Sequence, residues 1–358
     1  MKSLRKFCVR AVENGRKVLL VGAPGTGKTS LWNWVAEQVD RVEKIIISTP
    51  AIKAPEDYRG FPHLFIRDGK PGAEFVPYSD LELVLNWTGG ESGMGLLLFV
   101  LDDAGQASPM VQKSVMPLIQ GGTLDGKKMV RPDLVRFVAC TNHIGTNDGV
   151  EEFIEPLKTR FDNIIEYVPE AEDWIANFAD AKLHPIIPAF IARRPDLLCP
   201  DRGDFDPDLI VNSANPRTWE SASKTWEDVA DFSSEEKRIA MASSIGEAVA
   251  IQFMAFQKLL GNCPDAAEIA ADPMGAALVS QLDHVYLVIS QLLVETQTAE
   301  QADAFCRYLG RIGGDAQWLY IRKAIKGKAK DALYSSEFFV DWASDEQNHQ
   351  MLQEYFAS

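Results

Sequence analysis

The sequence predicts a three-layer α/β domain built on a mainly parallel sheet, followed by a region made of helices alone. Three observations carry this. Short apolar runs rich in leucine and β-branched residues alternate with helical periodicity through the first half of the chain. A glycine-rich loop joins the first such run to the first helix. Strand signals then cease after Pro169.

The apolar runs are residues 18–21, 45–47, 96–101, 135–140 and 164–165. They are continuous rather than alternating, which fits strands covered on both faces of a parallel sheet. Between the first two, Leu31, Trp34, Val35 and Val39 recur at helical spacing over residues 28–39, a stripe that packs on a sheet. The α/β domain is therefore expected over residues 1–168. Two stretches interrupt its rhythm. Residues 49–78 are rich in Pro, Gly and aromatics, and Asp68-Gly69 can turn a hairpin between residues 64–67 and 74–76. Asp125-Gly126 offers a second hairpin within residues 121–131. A connection of about thirty residues inside a compact domain points to function.

Further on, Ile245, Val249, Phe253, Phe256 and Leu260 step as one face of a helix, and so do Leu278, Leu282, Val285, Ile289 and Leu292. A Pro- and Asp-rich linker covers residues 195–216, and residues 262–273 form a second weak point. The helical region is expected to divide into residues 169–262 and residues 263–358.

The 358 residues suffice for two or three domains, and 46% hydrophobic with 24% charged residues is an ordinary globular balance. A formal net charge of -15 disfavours nucleic acid as a partner, because phosphates would be repelled. Cys8, Cys140, Cys199, Cys263 and Cys306 are odd in number and lack metal-ligand spacing. They are expected to be reduced thiols in a cytoplasmic protein. Residues 1–10 are basic but lead into no apolar segment of secretory type. No apolar run approaches the roughly 20 residues that cross a bilayer. The five histidines show no metal spacing, although His143 stands beside Asn142.

The chemistry is concentrated at the ends of the predicted strands. Gly22, Ala23, Pro24, Gly25, Thr26, Gly27, Lys28 and Thr29 complete the pattern G-x-x-x-x-G-K-[ST] between a strand and a helix, with Ser30 next in line. Backbone N–H groups there can wrap phosphates, helped by the positive end of the helix. Lys28 is placed to reach β- and γ-phosphates, and Thr29 to ligate Mg²⁺. The run of residues 96–101 ends in Asp102 and Asp103. A strand of this kind delivers both carboxylates to the carboxyl edge of the sheet, where ligands of open α/β folds bind. Asp102 is the expected magnesium partner and Asp103 the acid that polarises the attacking water. The strand of residues 135–140 runs into Thr141 and Asn142, whose amide could touch a γ-phosphate or orient that water.

The ordered set of glycine-rich loop, acidic strand end, Asn142, the run around Arg160-Phe161-Asp162 and the run Asn215-Pro216-Arg217 resembles AAA+ ATPases. Within them it looks like the MoxR branch, akin to magnesium-chelatase and dynein-type ATPases. The likeness covers roughly residues 15–225. It implies a helix-2 insert near residues 49–78, a pre-sensor-1 hairpin near 121–131, a helical lid at 169–262 and a C-terminal helical extension. By the same resemblance Asn142 is sensor 1, Arg160 an arginine finger for a neighbouring subunit, and Arg217 sensor 2. As alternatives, Arg160 closes a helix at the surface, and Arg217 caps a helix beginning near Thr218. One position departs from the family, which has Asp-Glu where this chain has Asp102-Asp103; the shorter acid implies slow hydrolysis.

The resemblance implies an ATP- and Mg²⁺-dependent ATP hydrolase, cytoplasmic, assembled as a homo-oligomeric ring of six subunits. It implies remodelling of a protein client, often with a von Willebrand A-type partner. Two alternatives stand beside it: a nucleotide-gated scaffold with little turnover, and a P-loop small-molecule phosphotransferase.

Overall fold

The computed structural model describes residues 2–124, 127–144, 153–200 and 211–357, and divides into two units, Met1–Val168 and Pro169–Ser358. In the first, the chain runs α1 (Lys2–Glu13), β1 (Val18–Val21), α2 (Lys28–Gln38), β2 (Val42–Ser48), β3 (Phe61–Arg67), β4 (Lys70–Val76) and α3 (Ser79–Leu85). It continues through β5 (Leu96–Leu101), α4 (Pro109–Gly121), β6 (Thr123–Leu124), β7 (Lys127–Lys128), β8 (Val135–Thr141), α5 (Glu155–Lys158) and β9 (Asn163–Glu166).

Five of these strands form one sheet in the order β2-β5-β8-β1-β9, every pair parallel. With helices on its faces this is the three-layer α/β architecture with a parallel sheet that the apolar runs predict. Each residue of β5 is fully buried, as an unbroken apolar run in a central strand requires. The two edge strands differ from that expectation. Ile47 of β2 and Ile164 of β9 are exposed at 41% and 52%, because an edge strand is covered less completely than a central one. The stripe of α2 is also wider than its spacing implied. Trp32 is wholly buried while Trp34 is partly buried, with the Arg5 guanidinium 4.4 Å above its ring.

Register places the site. Val21 pairs with Thr141 and with Glu166, and Leu101 with both Ser48 and Ala139. Gly22, Asp102 and Asn142 therefore leave the same edge of the sheet. β1 lies between β8 and β9, so the chain departs from it towards one side of the sheet and returns on the other. That reversal is where ligands of doubly wound folds sit.

Outside the sheet, β3 and β4 make an antiparallel hairpin through Asp68 and Gly69, longer at both ends than the sequence expectation. β6 pairs with β7, while their turn, Asp125-Gly126, lies outside the described residues.

The second unit holds α6 (Ala171–Trp174), α7 (Asp180–Lys182), α8 (Ile186–Arg193), α9 (Pro216–Asp228), α10 (Ser234–Ile245), α11 (Glu247–Lys258) and α12 (Ala266–Ala271). α13 (Leu282–Glu295), α14 (Ala299–Ile312), α15 (Gly314–Lys326), α16 (Lys330–Tyr334), α17 (Glu337–Ser344) and α18 (Glu346–Ala357) follow. Two helical readings need correction. The helix expected to start at Ile245 is broken by Gly246, whose φ of 82° no right-handed helix accommodates. Leu278 lies ahead of α13 rather than on it. Of the linker at 195–216, residues 201–210 lie outside the described residues. Buried apolar residues gather in two clusters, one around Phe190, Trp219 and Phe253, the other around Leu292, Phe305 and Tyr320. α13 contributes Leu287 to the first and Val288 to the second, which explains why it is apolar on more than one face.

Candidate functional site

Gly27, left-handed at φ 95°, precedes Lys28, the first residue of α2. Lys28 is only 6% exposed and donates from Nζ to Gly22 O at 2.8 Å, Ala23 O at 2.8 Å and Asn142 Oδ1 at 2.9 Å. An ammonium has three donors, so these acceptors account for a full set. Asn142 is itself 4% exposed. Thr26, also buried, donates from Oγ1 to Ala23 O at 2.8 Å, tightening the loop. Thr29 Oγ1 donates to Asp102 Oδ1 at 2.7 Å. Ser30 is exposed.

Four residues from one helix start and two strand ends are thus joined pairwise: Lys28 to Asn142 across 114 positions and Thr29 to Asp102 across 73. Cys140 of β8 is fully buried, and that burial holds its thiol well above the ordinary cysteine range, with Asp102 adding to the shift.

The donor set fits a nucleotide with its magnesium ion. Thr29 and Asp102 offer one hydroxyl and one carboxylate oxygen, the sparse protein share that Mg²⁺ takes when phosphates and water complete its shell. Among the described residues no group of three or more His, Cys, Asp or Glu side chains could hold a metal alone. The loop is also close to its limit of space. A Cβ added to Gly22 would stand 2.4 Å from the Tyr167 carbonyl oxygen, so this glycine is required by close backbone approach. Gly22→Ala should destabilise the protein by about 1–3 kcal/mol through overpacking and weaken nucleotide binding together with it. Thermal unfolding checks this; a variant melting with the parent would exclude so tight an approach.

Asp103 sits at φ 54° and ψ 39°, left-handed backbone in which aspartate and asparagine are the tolerated residues after glycine. This bears on the departure from Asp-Glu. A glutamate here meets the left-handed penalty, about 1–2 kcal/mol, whereas asparagine does not. Asp103→Asn should keep the melting temperature and lower turnover if Asp103 orients the water. Asp103→Glu should lose stability whatever it does to the rate. Parallel melts and steady-state ATP hydrolysis separate the two effects; unaltered hydrolysis in Asp103→Asn means another acid orients the water.

Arg160 is not brought to the Lys28 cluster within this chain. Its guanidinium donates to Pro156 O of α5 and, at 2.8 Å, to Gln120 Oε1 of α4. Within the chain it ties the residues around α5 to α4. Arg217 is exposed and occupies the first turn of α9. It does not cap the helix: Asn215 does, its Oδ1 accepting from the N–H groups of Arg217 and Thr218 at 3.0 and 3.1 Å. A cation in that turn opposes the helix dipole, so local helix stability does not explain it.

Sequence reasoning missed two neighbours of the site. Tyr167 supplies the carbonyl against Gly22, and Glu166 Oε1 stands 4.0 Å from His143 Nε2. Glu166 ends β9 and Tyr167 follows it, and the pairing of β9 with β1 puts them there; no local signal marks them.

The chain matches no family model and no curated protein. Among solved structures it is similar to a mutant RuvB from Thermotoga maritima, at 17% identity, with 72% of this chain and 68% of that one covered and a TM-score of 0.37. It is similar to the RuvB Holliday junction branch migration motor of the same organism at 16% identity, 72% and 70% coverage, and 0.35. A protein from Cytophaga hutchinsonii assigned as an ATPase shows 14% identity, 69% and 81% coverage, and 0.31. Likenesses of this size say nothing about substrate or partner. Among the described residues no helix is long and apolar enough to cross a membrane.

Proposed function

We propose that the chain binds ATP with magnesium and hydrolyses it, as an AAA+ ATPase of the MoxR kind. The observation that carries this is the convergence of Lys28, Thr29, Asp102 and Asn142, two strand ends and one helix start, on a single glycine-rich loop. Bound magnesium supplies charge neutralisation at the phosphates. Thr29 and Asp102 would hold it, and the N–H groups at the start of α2 would face the phosphates. Lys28 can turn to a phosphate only by leaving acceptors it now satisfies. Leaving Asn142 releases its Oδ1, an acceptor that can orient the attacking water, so one exchange of partners couples phosphate arrival to Asn142. Asp103 is the acid we assign to the water.

The assembly we propose is a homo-oligomeric ring, six subunits being usual in this class, that acts in the cytoplasm to remodel a protein client, with a von Willebrand A-type partner. Arg160 and Arg217 keep the roles of finger and second sensor. Residues 169–262 and 263–358 are assigned as lid and extension. The departure at Asp103 favours one second reading, a nucleotide-gated scaffold that binds ATP and scarcely turns it over.

Light scattering tests the assembly. The ATP- or analogue-bound protein should be a larger species than the apo protein at tens of micromolar, roughly where modest interfaces saturate. A monomer under every nucleotide condition would instead support a phosphotransferase. Single-turnover hydrolysis by the assembled protein then separates motor from scaffold.

A further inference from the structure

The helical unit contains a cavity of about 530 Å³ that the ATPase reading does not use. Its walls are apolar, with Leu183, Pro188, Trp226, Leu293 and Val294 among them. Lys182, Lys237, Lys323 and Lys328 also line it, against the acids Asp180 and Glu227. The size lies within the range of small-molecule sites, about 300–1,000 Å³, which combine apolar walls with a few polar groups.

The charges are unevenly engaged. Lys323 and Asp180 form an ion pair in which the side chains are 5% and 3% exposed. Burial pulls the Lys323 ammonium below its ordinary range and Asp180 opposes that. An ion pair kept out of water is costly compared with apolar packing, so its place at a cavity wall is unexplained by stability. Asp180 is thereby spent. Lys182 and Lys328 are exposed and Lys237 is half-exposed, leaving Glu227 as the remaining opposing charge. Lys237 Nζ lies 5.5 Å from the centre of the Trp226 ring and donates to Ala230 O at 2.6 Å. Lys328 is close enough to His184 to work with burial in lowering its proton affinity, while Glu227 raises it. In a chain of net charge -15, a cavity with an excess of lysine is a local reversal of sign.

We propose that this cavity binds a small organic anion, a carboxylate on an aromatic or aliphatic body. The body packs against Trp226, Leu293 and Val294 and the carboxylate faces the lysines. Such a ligand complements the cavity in both polarity and charge, and the cavity's lining shares no residue with the P-loop cluster.

Calorimetric titration of the full-length chain with 3-phenylpropionate, in the presence of saturating Mg²⁺-ATP, tests this. We expect millimolar or tighter binding, the scale for a ligand of this size, and binding at least about fivefold weaker for the neutral 3-phenylpropanamide. Lys237→Glu combined with Lys328→Glu should weaken the carboxylate about tenfold while the ATP affinity of the same samples stays unchanged. Leu293→Trp, which fills the cavity, should abolish binding of both compounds. Should that variant fail to fold, the lysine reversals, made at exposed and half-exposed positions, decide the matter. Equal binding of acid and amide, no saturable binding of the acid, indifference to the lysine reversals, or displacement by ATP would each overturn the proposal.

Discussion

Lys28→Met is expected to lower ATP affinity about 10²- to 10³-fold, the loss of one or two charge-assisted hydrogen bonds of about 1.5–3 kcal/mol each. Methionine matches the length and most of the volume of lysine, so the helix start survives and the change falls on charge. In the nucleotide-free protein the same substitution has a second consequence. Gly22 O, Ala23 O and Asn142 Oδ1 lose the donor they share. Ala23 O keeps the Thr26 hydroxyl, but Gly22 O loses its ammonium partner in a buried place, where an unpaired polar group costs about 1–3 kcal/mol unless water enters. The variant should therefore melt earlier than the parent without nucleotide and gain little from adding it. Calorimetry with ATP, alongside melts at several nucleotide concentrations, reads both effects. A folded Lys28→Met with parental affinity removes the ATPase reading altogether.

Arg160→Ala is expected to leave ATP binding intact and to lower turnover about 10³- to 10⁵-fold, the range for an arginine that stabilises transferring phosphate from outside its own chain. The geometry makes this test informative. Among the described residues Arg160 donates to Pro156, Thr159 and Gln120, none of which belongs to the Lys28 cluster. A side chain that merely closed α5 at the surface would matter to stability by less than about 1 kcal/mol and to the rate hardly at all. Mixing Arg160→Ala with Lys28→Met subunits should restore part of the activity, since each supplies what the other lacks. Absence of rescue in assemblies shown to contain both variants means that Arg160 acts in its own chain or not at all.

The loop of residues 22–29 and the acids at 102 and 103 were legible in the sequence because their signals are local. A glycine pattern between an apolar run and a helical stripe can be read without knowing what lies opposite. The central strands were legible for the same reason: unbroken apolar runs have few other places to go. Which strands lie at the edges was not, since β2 and β9 carry similar runs and differ from β5 only in which neighbours cover them. Nor was the break at Gly246, where helical spacing continues across a residue that no helix includes.

Residue type and order alone determined that this chain has a glycine-rich loop between a strand and a helix, an acidic strand end and a polar strand end, in an α/β domain followed by helices. Tertiary structure decided how they meet. Parallel pairing of β1 with β8 places Asn142 within 2.9 Å of Lys28, and pairing of β1 with β9 sets the Tyr167 carbonyl against Gly22. The left-handed backbone at Asp103, which makes the shorter acid the fitting one, belongs to the turn that leaves β5. So do the cavity and its buried Lys323–Asp180 pair belong to packing, joining residues 143 positions apart. The physical reason is common to all four. Local patterns record what a segment can form, while contact across strands and helices depends on register and burial, which no segment carries by itself.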